Sequence, residues 1–358
     1  MKKSFLLLLT AILALNLLTG CATTKTKTET KTDDTKQNET ETKPDTNTNT
    51  NTTNTGKVKT GFAVLSSIAS SKDASLAQVD SNAAAVLVGA DGKIVKCVID
   101  GVQSKTSFDN TGKITTPLDT TYPTKVELGE KYGMKKASAI GKEWSEEIQA
   151  FANYVTGKTV AEVKGIAIND KGHATGADLS SSVTISIADY IKLVEKAVTN
   201  ATVDGASASD KLGLGIVTNI AKSANAGDTA GKVEAYSTYT VVTTDASGKI
   251  TSSIIDASQT DVSFDKTGKI TSDLKADLKT KNEIGAAYGM KKASAIGKEW
   301  NEEAQAFAKY ITGKTAAEVA TIAVNEKKEA TGSDLTSSVT ISIGDFQECV
   351  KKAAATAK

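Results

Sequence analysis

The sequence predicts an α+β class built as two tandem duplicated domains, each an antiparallel sheet packed with helices. Three observations carry that reading. First, a unit of about 150 residues occurs twice at an offset of 156, so that Tyr132–Trp144 and Tyr288–Trp300 share the thirteen residues YGMKKASAIGKEW. Second, each copy opens with β-rich runs separated by glycine turns, the pattern of a meander. Third, each copy then changes to apolar residues at three- and four-residue spacing, the period of a helix. Strands followed by helices argue for α+β over an alternating α/β sheet.

The repeat extends beyond the shared run. SFDNTGKIT at Ser107–Thr115 matches SFDKTGKIT at Ser263–Thr271, and DLSSSVTISI at Asp178–Ile187 matches DLTSSVTISI at Asp334–Ile343. Solenoid repeats run about 20–50 residues, so this is a duplicated domain rather than a solenoid. The join falls near Thr202–Ser209, which is small and polar, and divides the chain into domains 57–203 and 204–358.

Within each copy the elements follow in order. Lys59–Ser70 and Lys211–Lys222 mix small and apolar residues and suit either strand or helix. Ala83–Val88 and Tyr236–Thr243 read as strands, turned at Gly92-Lys93 and Gly248-Lys249 into Ile94–Ile99 and Ile250–Ile255. Asn110–Gly112 and Lys266–Gly268 read as further turns. Ala139, Ile140, Trp144, Ile148, Phe151, Ala152 and Val155 then form the buried stripe of an amphipathic helix. Trp144 and Trp300 are expected in the core, Gly157 ends the helix, and Val160–Ile166 is a short second one. Val183–Ile187 alternates as a half-buried strand with Thr184 and Ser186 on its open face. Asp189 is then expected to cap a helix from Tyr190 to Val198, with Ile191, Val194 and Val198 inward. The second copy repeats this with Thr340, Ser342, Asp345 and a helix from Phe346.

Composition narrows the chemistry. The 43 basic residues are all lysine, against 42 acidic ones, for a net charge of +1. Without arginine there is no bidentate fork for guanine or phosphate, which argues against nucleic acid as a partner. One histidine and three cysteines leave no stock for a histidine- or cysteine-rich metal site. His173 aligns with Glu329 in the other copy and reads as a surface residue. Cys97 aligns with Ser253 and Cys349 with Leu193, so each stands alone in its domain and no within-domain disulfide is expected. Any redox or group-transfer chemistry would then come from a bound cofactor.

The N-terminus reads as an address. Lys2 and Lys3 precede Phe5–Leu18, a nearly continuous apolar run of 14 residues. That is too short for a helix crossing a bilayer core of about 30 Å and suits a signal peptide, residues 1–20. Leu18-Thr19-Gly20-Cys21 resembles the lipobox of bacterial lipoproteins, which implies cleavage before Cys21, lipid on its sulfur and anchorage at the outer face of the cell membrane. Fifteen of the 35 residues from 22 to 56 are threonine and almost none are apolar, so a disordered tether is expected over 21–56. Such a tether reaches about 30 Å root-mean-square.

The last element of each copy carries a further resemblance. Asp178, Ser182 and Thr184, with Asp334, Ser338 and Thr340, resemble the signature of FMN-binding-type domains, as in subunits of sodium-pumping quinone reductase and Rnf. That signature is an aspartate, a Ser-Gly-Ala-Thr-like core and a helix. Here Ser182 and Ser338 replace its glycine, and Val183 and Val339 its alanine. The resemblance implies that an FMN transferase, using FAD, links FMN through its phosphate to Thr184 and Thr340. Met134, Met290, Gly133 and Gly289, in the shared run before the helix, are candidates to line the flavin pocket. With the lipobox and the threonine-rich tether, the whole chain is similar to the flavinylated extracellular electron-transfer lipoproteins of Gram-positive bacteria (PplA-type). This implies an electron carrier, fed by a membrane quinol-oxidising system and emptied onto ferric iron or soluble flavins. The alternative is a non-redox surface lipoprotein that acts as a binding or adhesion module.

Overall fold

A computed structural model of the chain describes residues 56–358. The signal peptide, the lipidation of Cys21 and the tether up to residue 55 lie outside the described residues.

The first copy begins with a three-stranded antiparallel meander, β1 (Lys59–Ser67), β2 (Leu76–Val88) and β3 (Ile94–Ser107). The segment left open between strand and helix is therefore a strand. The turn between β2 and β3 uses Gly92 at φ 74°, a conformation that glycine adopts without a Cβ clash. A two-residue strand, β4 (Thr121–Tyr122), leaves this copy and pairs with the first strand of the second. Helices α1 (Lys125–Leu128), α2 (Trp144–Val155), α3 (Val160–Lys164), α4 (Ala177–Ser180) and α5 (Ala188–Thr199) follow. The second copy supplies β5 (Lys211–Asn219), β6 (Gly231–Thr244) and β7 (Ile250–Phe264). Its helices are α6 (Lys281–Ile284), α7 (Trp300–Ile311), α8 (Ala316–Ala320), α9 (Ser333–Thr336) and α10 (Gly344–Thr356). The fold is α+β, with sheets ordered β1-β2-β3 and β4-β5-β6-β7.

Alternation along β2 explains how the layers assemble. Ala84, Val86 and Val88 face α2 and α5, while Ala83, Ala85 and Leu87 face the other sheet. Both faces of the strand are buried, which is why 83–88 is a continuous apolar run. The sheets pack on each other through Phe62, Val64, Leu212, Leu214 and Tyr239 at one end, and Ile68, Val79, Val233 and Phe264 at the other. Phe108 stacks on its own counterpart Phe264, with ring centroids 4.3 Å apart. Contacts run both ways between the copies: Lys196 pairs with Glu283 at 2.5 Å, and Lys352 with Glu127 at 2.7 Å. The two copies accordingly belong to one compact unit and share two of its four cores.

Three local expectations are corrected. Val183–Ile187 is a loop, not a strand; Val183 and Ile187 are buried because they plug the helix-side core. The last helices start at Ala188 and Gly344, so Asp189 and Asp345 lie inside the first turn, and Ile187 and Ile343 occupy the cap positions. The long amphipathic helix starts at Trp144, which leaves Ala139 and Ile140 in the preceding turns. Both tryptophans are in the core, at 3% exposure. Cys97 and Cys349 are buried and free.

Candidate functional site

The shared run builds an acidic anchor first. Glu143, just before α2, accepts the backbone amides of Met134 at 2.9 Å and Lys135 at 3.1 Å. This ties the loop that follows Gly133, whose φ of 79° closes the preceding turn. Glu299 holds Met290 and Lys291 in the same way, at 2.8 and 3.1 Å. The Lys125 ammonium lies 5.3 Å from the Tyr132 ring centroid and 4.9 Å from that of Trp144. In the second copy Lys281 sits 4.6 to 4.8 Å from the rings of Tyr236, Tyr288 and Trp300. Burial pulls both lysines down, Lys281 to about 8. Within the shared run only Glu143 and Trp144, with Glu299 and Trp300, are buried, and they anchor an otherwise half-buried or exposed loop.

Next along the chain comes one fully buried carboxylate. Glu147, one turn into α2, has zero exposure, and so does Glu303 in α7. The Ser138 hydroxyl donates to Glu147 Oε1 at 2.7 Å. The amides of Thr184 and Ile185 donate to Oε2 at 2.6 and 2.9 Å. The Thr184 hydroxyl, half-buried, lies 3.0 Å from each oxygen. In the second copy Ser294, Thr340 and Ile341 surround Glu303 identically, with the Thr340 hydroxyl at 3.2 and 3.0 Å. A buried carboxylate is stable only with its lone pairs satisfied, and here hydroxyls and amides replace water.

The other motif residues position the loop. Asp178 accepts the Tyr154 hydroxyl at 2.8 Å, and Asp334 accepts that of Tyr310 at 2.6 Å; these bonds push both tyrosines above their ordinary range. Tyr154 lies seven residues beyond Glu147, two turns along α2, so one helix holds both ends of the motif. Ser182 and Ser338 donate to Leu179 and Leu335 carbonyls at 3.1 Å, closing short turns. Met134, Tyr132 and Ile185 pack, half-buried, on the edge of the same core. His173 is half-buried rather than free on the surface, and its Nδ1 donates to the Thr184 carbonyl at 2.7 Å. Glu329, its counterpart, instead accepts from the Asn325 side chain at 2.8 Å.

Sequence reasoning missed Glu147 and Glu303. The available signal was an acid on the apolar stripe, three residues after the tryptophan, in both copies. A cavity of about 520 Å³ lies elsewhere, between β1 of one copy and β7 and α7 of the other, and no motif residue lines it. Among the described residues no His, Cys, Asp and Glu cluster suits a metal ion, and no helix is long and apolar enough to cross a membrane.

Fold and site together define an α+β protein in which a carboxylate-held threonine precedes a twelve- or thirteen-residue helix, once per copy. No family model and no solved structure matches the chain. A stretch of 43 residues is 49% identical to a chlorophenol reductase of Desulfitobacterium hafniense. The match covers 12% of this chain and 13% of that protein, so the chain spans about an eighth of its relative's length.

Proposed function

We propose that the protein is a lipid-anchored extracellular electron-transfer flavoprotein with FMN esterified to Thr184 and Thr340. The observation that carries this reading is the duplicated threonine–carboxylate pair. A threonine hydroxyl aimed at a buried acid is an oriented nucleophile, and the same geometry occurs at both motif threonines. The residues present suit the group. Each threonine is half-buried rather than enclosed in the core. The helix starting at Ala188 or Gly344 offers first-turn amides and a positive dipole end to one phosphodiester charge. Met134, Tyr132 and Ile185, with Met290, Tyr288 and Ile341, are the half-buried apolar side chains that would hold the ring.

Bound FMN supplies the one- and two-electron chemistry, and the chain supplies attachment and surroundings. A covalent link keeps the cofactor on a protein exposed to bulk medium. The partners in this reading are an FMN transferase, a membrane quinol-oxidising donor and external acceptors such as ferric iron or soluble flavins. Cys21 provides the anchor. The reductase name of the partial relative agrees with a redox role. Peptide mapping of protein from its native membrane, or co-expressed with an FMN transferase, is expected to find FMN on Thr184 and Thr340. Unmodified, colourless protein from such cells would instead favour a non-redox surface module.

A further inference from the structure

We infer that Glu147 and Glu303 are the bases that accept the hydroxyl protons of Thr184 and Thr340 during flavin attachment, so that the chain brings part of its own modification chemistry. The inference rests on the flavin reading above. FAD is the donor. The Thr184 Oγ–P bond forms on the FMN phosphate, and the bridging P–O bond of the pyrophosphate breaks. Its electron pair leaves with AMP, and the hydroxyl proton passes to Glu147. Nothing is oxidised or reduced.

The carboxylate is arranged for this task. Oε2 is occupied by the amides of Thr184 and Ile185, which fix the loop. Oε1 faces only hydroxyls, Ser138 at 2.7 Å and Thr184 at 3.0 Å, and is the oxygen free to take a proton. The 2.6–3.2 Å reach expected of a general base is met in both copies. The other polar neighbour is not shared. His173 contacts the Thr184 carbonyl rather than its hydroxyl, and Glu329 is bonded elsewhere. What differs between the copies cannot be the common base; what is identical is the glutamate and its serine.

Electrostatics after the transfer point the same way. The ester oxygen has no hydrogen to donate, and the phosphodiester adds a negative charge beside a fully buried acid. Two like charges at such range strongly disfavour each other in a poorly solvated site. A proton retained on Oε1 removes that conflict and restores a donor toward the ester.

The test uses the full-length chain, an FMN transferase and FAD, with FMN on each threonine peptide quantified by mass spectrometry. Glu147→Gln is expected to slow attachment at Thr184 by about 100-fold or more while Thr340 proceeds as in the wild type. Glu303→Gln is expected to do the reverse. Infrared difference spectra of the wild type, before and after attachment, are expected to gain a protonated-carboxyl band; this readout needs no variant to fold. Equal attachment at Thr184 in Glu147→Gln and wild type, or no new carboxyl band, overturns the inference and leaves the flavin reading standing. A wild type that takes up no FMN at either threonine overturns both.

Discussion

Replacing Glu147 with alanine tests whether the buried carboxylate organises the motif loop. The substitution leaves the Thr184 and Ile185 amides and the Ser138 hydroxyl without their acceptor. Each buried donor left unpaired costs about 1–3 kcal/mol. Ser138 and Thr184 are half-buried and can turn to water, so the two amides dominate. Relief from burying a charge offsets part of the loss. The expected net destabilisation is about 2–4 kcal/mol. Thr184→Val removes only one half-buried hydroxyl bond to a charged acceptor and should cost about 1.5 kcal/mol. Urea titrations followed by tryptophan fluorescence measure both, and the double variant gives their coupling. Glu303→Ala should behave like Glu147→Ala. A Glu147→Ala midpoint indistinguishable from wild type would refute the claim that this acid holds the loop.

Other consequences follow from burial and close approach. Burial raises Asp256 to about 7 and Asp100 to about 6 despite the amides and threonines that hydrogen-bond them. These two carboxyls therefore bind more protons folded than unfolded between about pH 4 and 7, and the stability they contribute falls as pH rises through that window. Asp256→Asn should flatten the fall in pH-dependent urea titrations. Burial also pushes the Cys97 thiol up to about 12 and raises Cys349, so alkylation at pH 8 should label both only after denaturation, as peptide mapping can show. A Cβ on Gly61 would collide with the Ala197 carbonyl, and one on Gly215 with that of Cys349. Either glycine-to-alanine change forces a helix off its sheet and should lower stability by about 1–3 kcal/mol, read as a drop in Tm.

Several parts of the fold were legible because local rules and burial agree. The Ala83–Val88 run and the glycine turn after it specify a central strand and its hairpin without help from distant residues. The outer half of β2 was not legible: Gln78, Ser81 and Asn82 break the apolar pattern, yet Gln78 and Ser81 are buried. Hydroxyl pairs such as Ser66–Ser81 at 2.8 Å and Tyr239–Ser258 at 2.8 Å let polar side chains enter a sheet interface. Val183–Ile187 misled for the opposite reason. Its alternation is real, but it reflects a loop that buries Val183 and Ile187 while Glu147 binds the amides a neighbouring strand would otherwise bind.

For the candidate site, a resemblance in the sequence singled out both threonines and both aspartates of the motif, and the structure adds what each of them touches. Helical periodicity singled out only the apolar residues of α2 and passed over Glu147, which is buried on the same face. Besides Ser138, its partners Thr184 and Ile185 lie 37 and 38 residues along the chain, a separation no local rule spans. The repeat is visible by comparing the sequence with itself, and the sheet-then-helix order is a property of local pattern, so the sequence by itself determined both. The tertiary structure decided that the two sheets bury each other's faces and that each threonine meets an acid. Those outcomes depend on complementary surfaces and on hydrogen bonds that exist only once distant segments have docked.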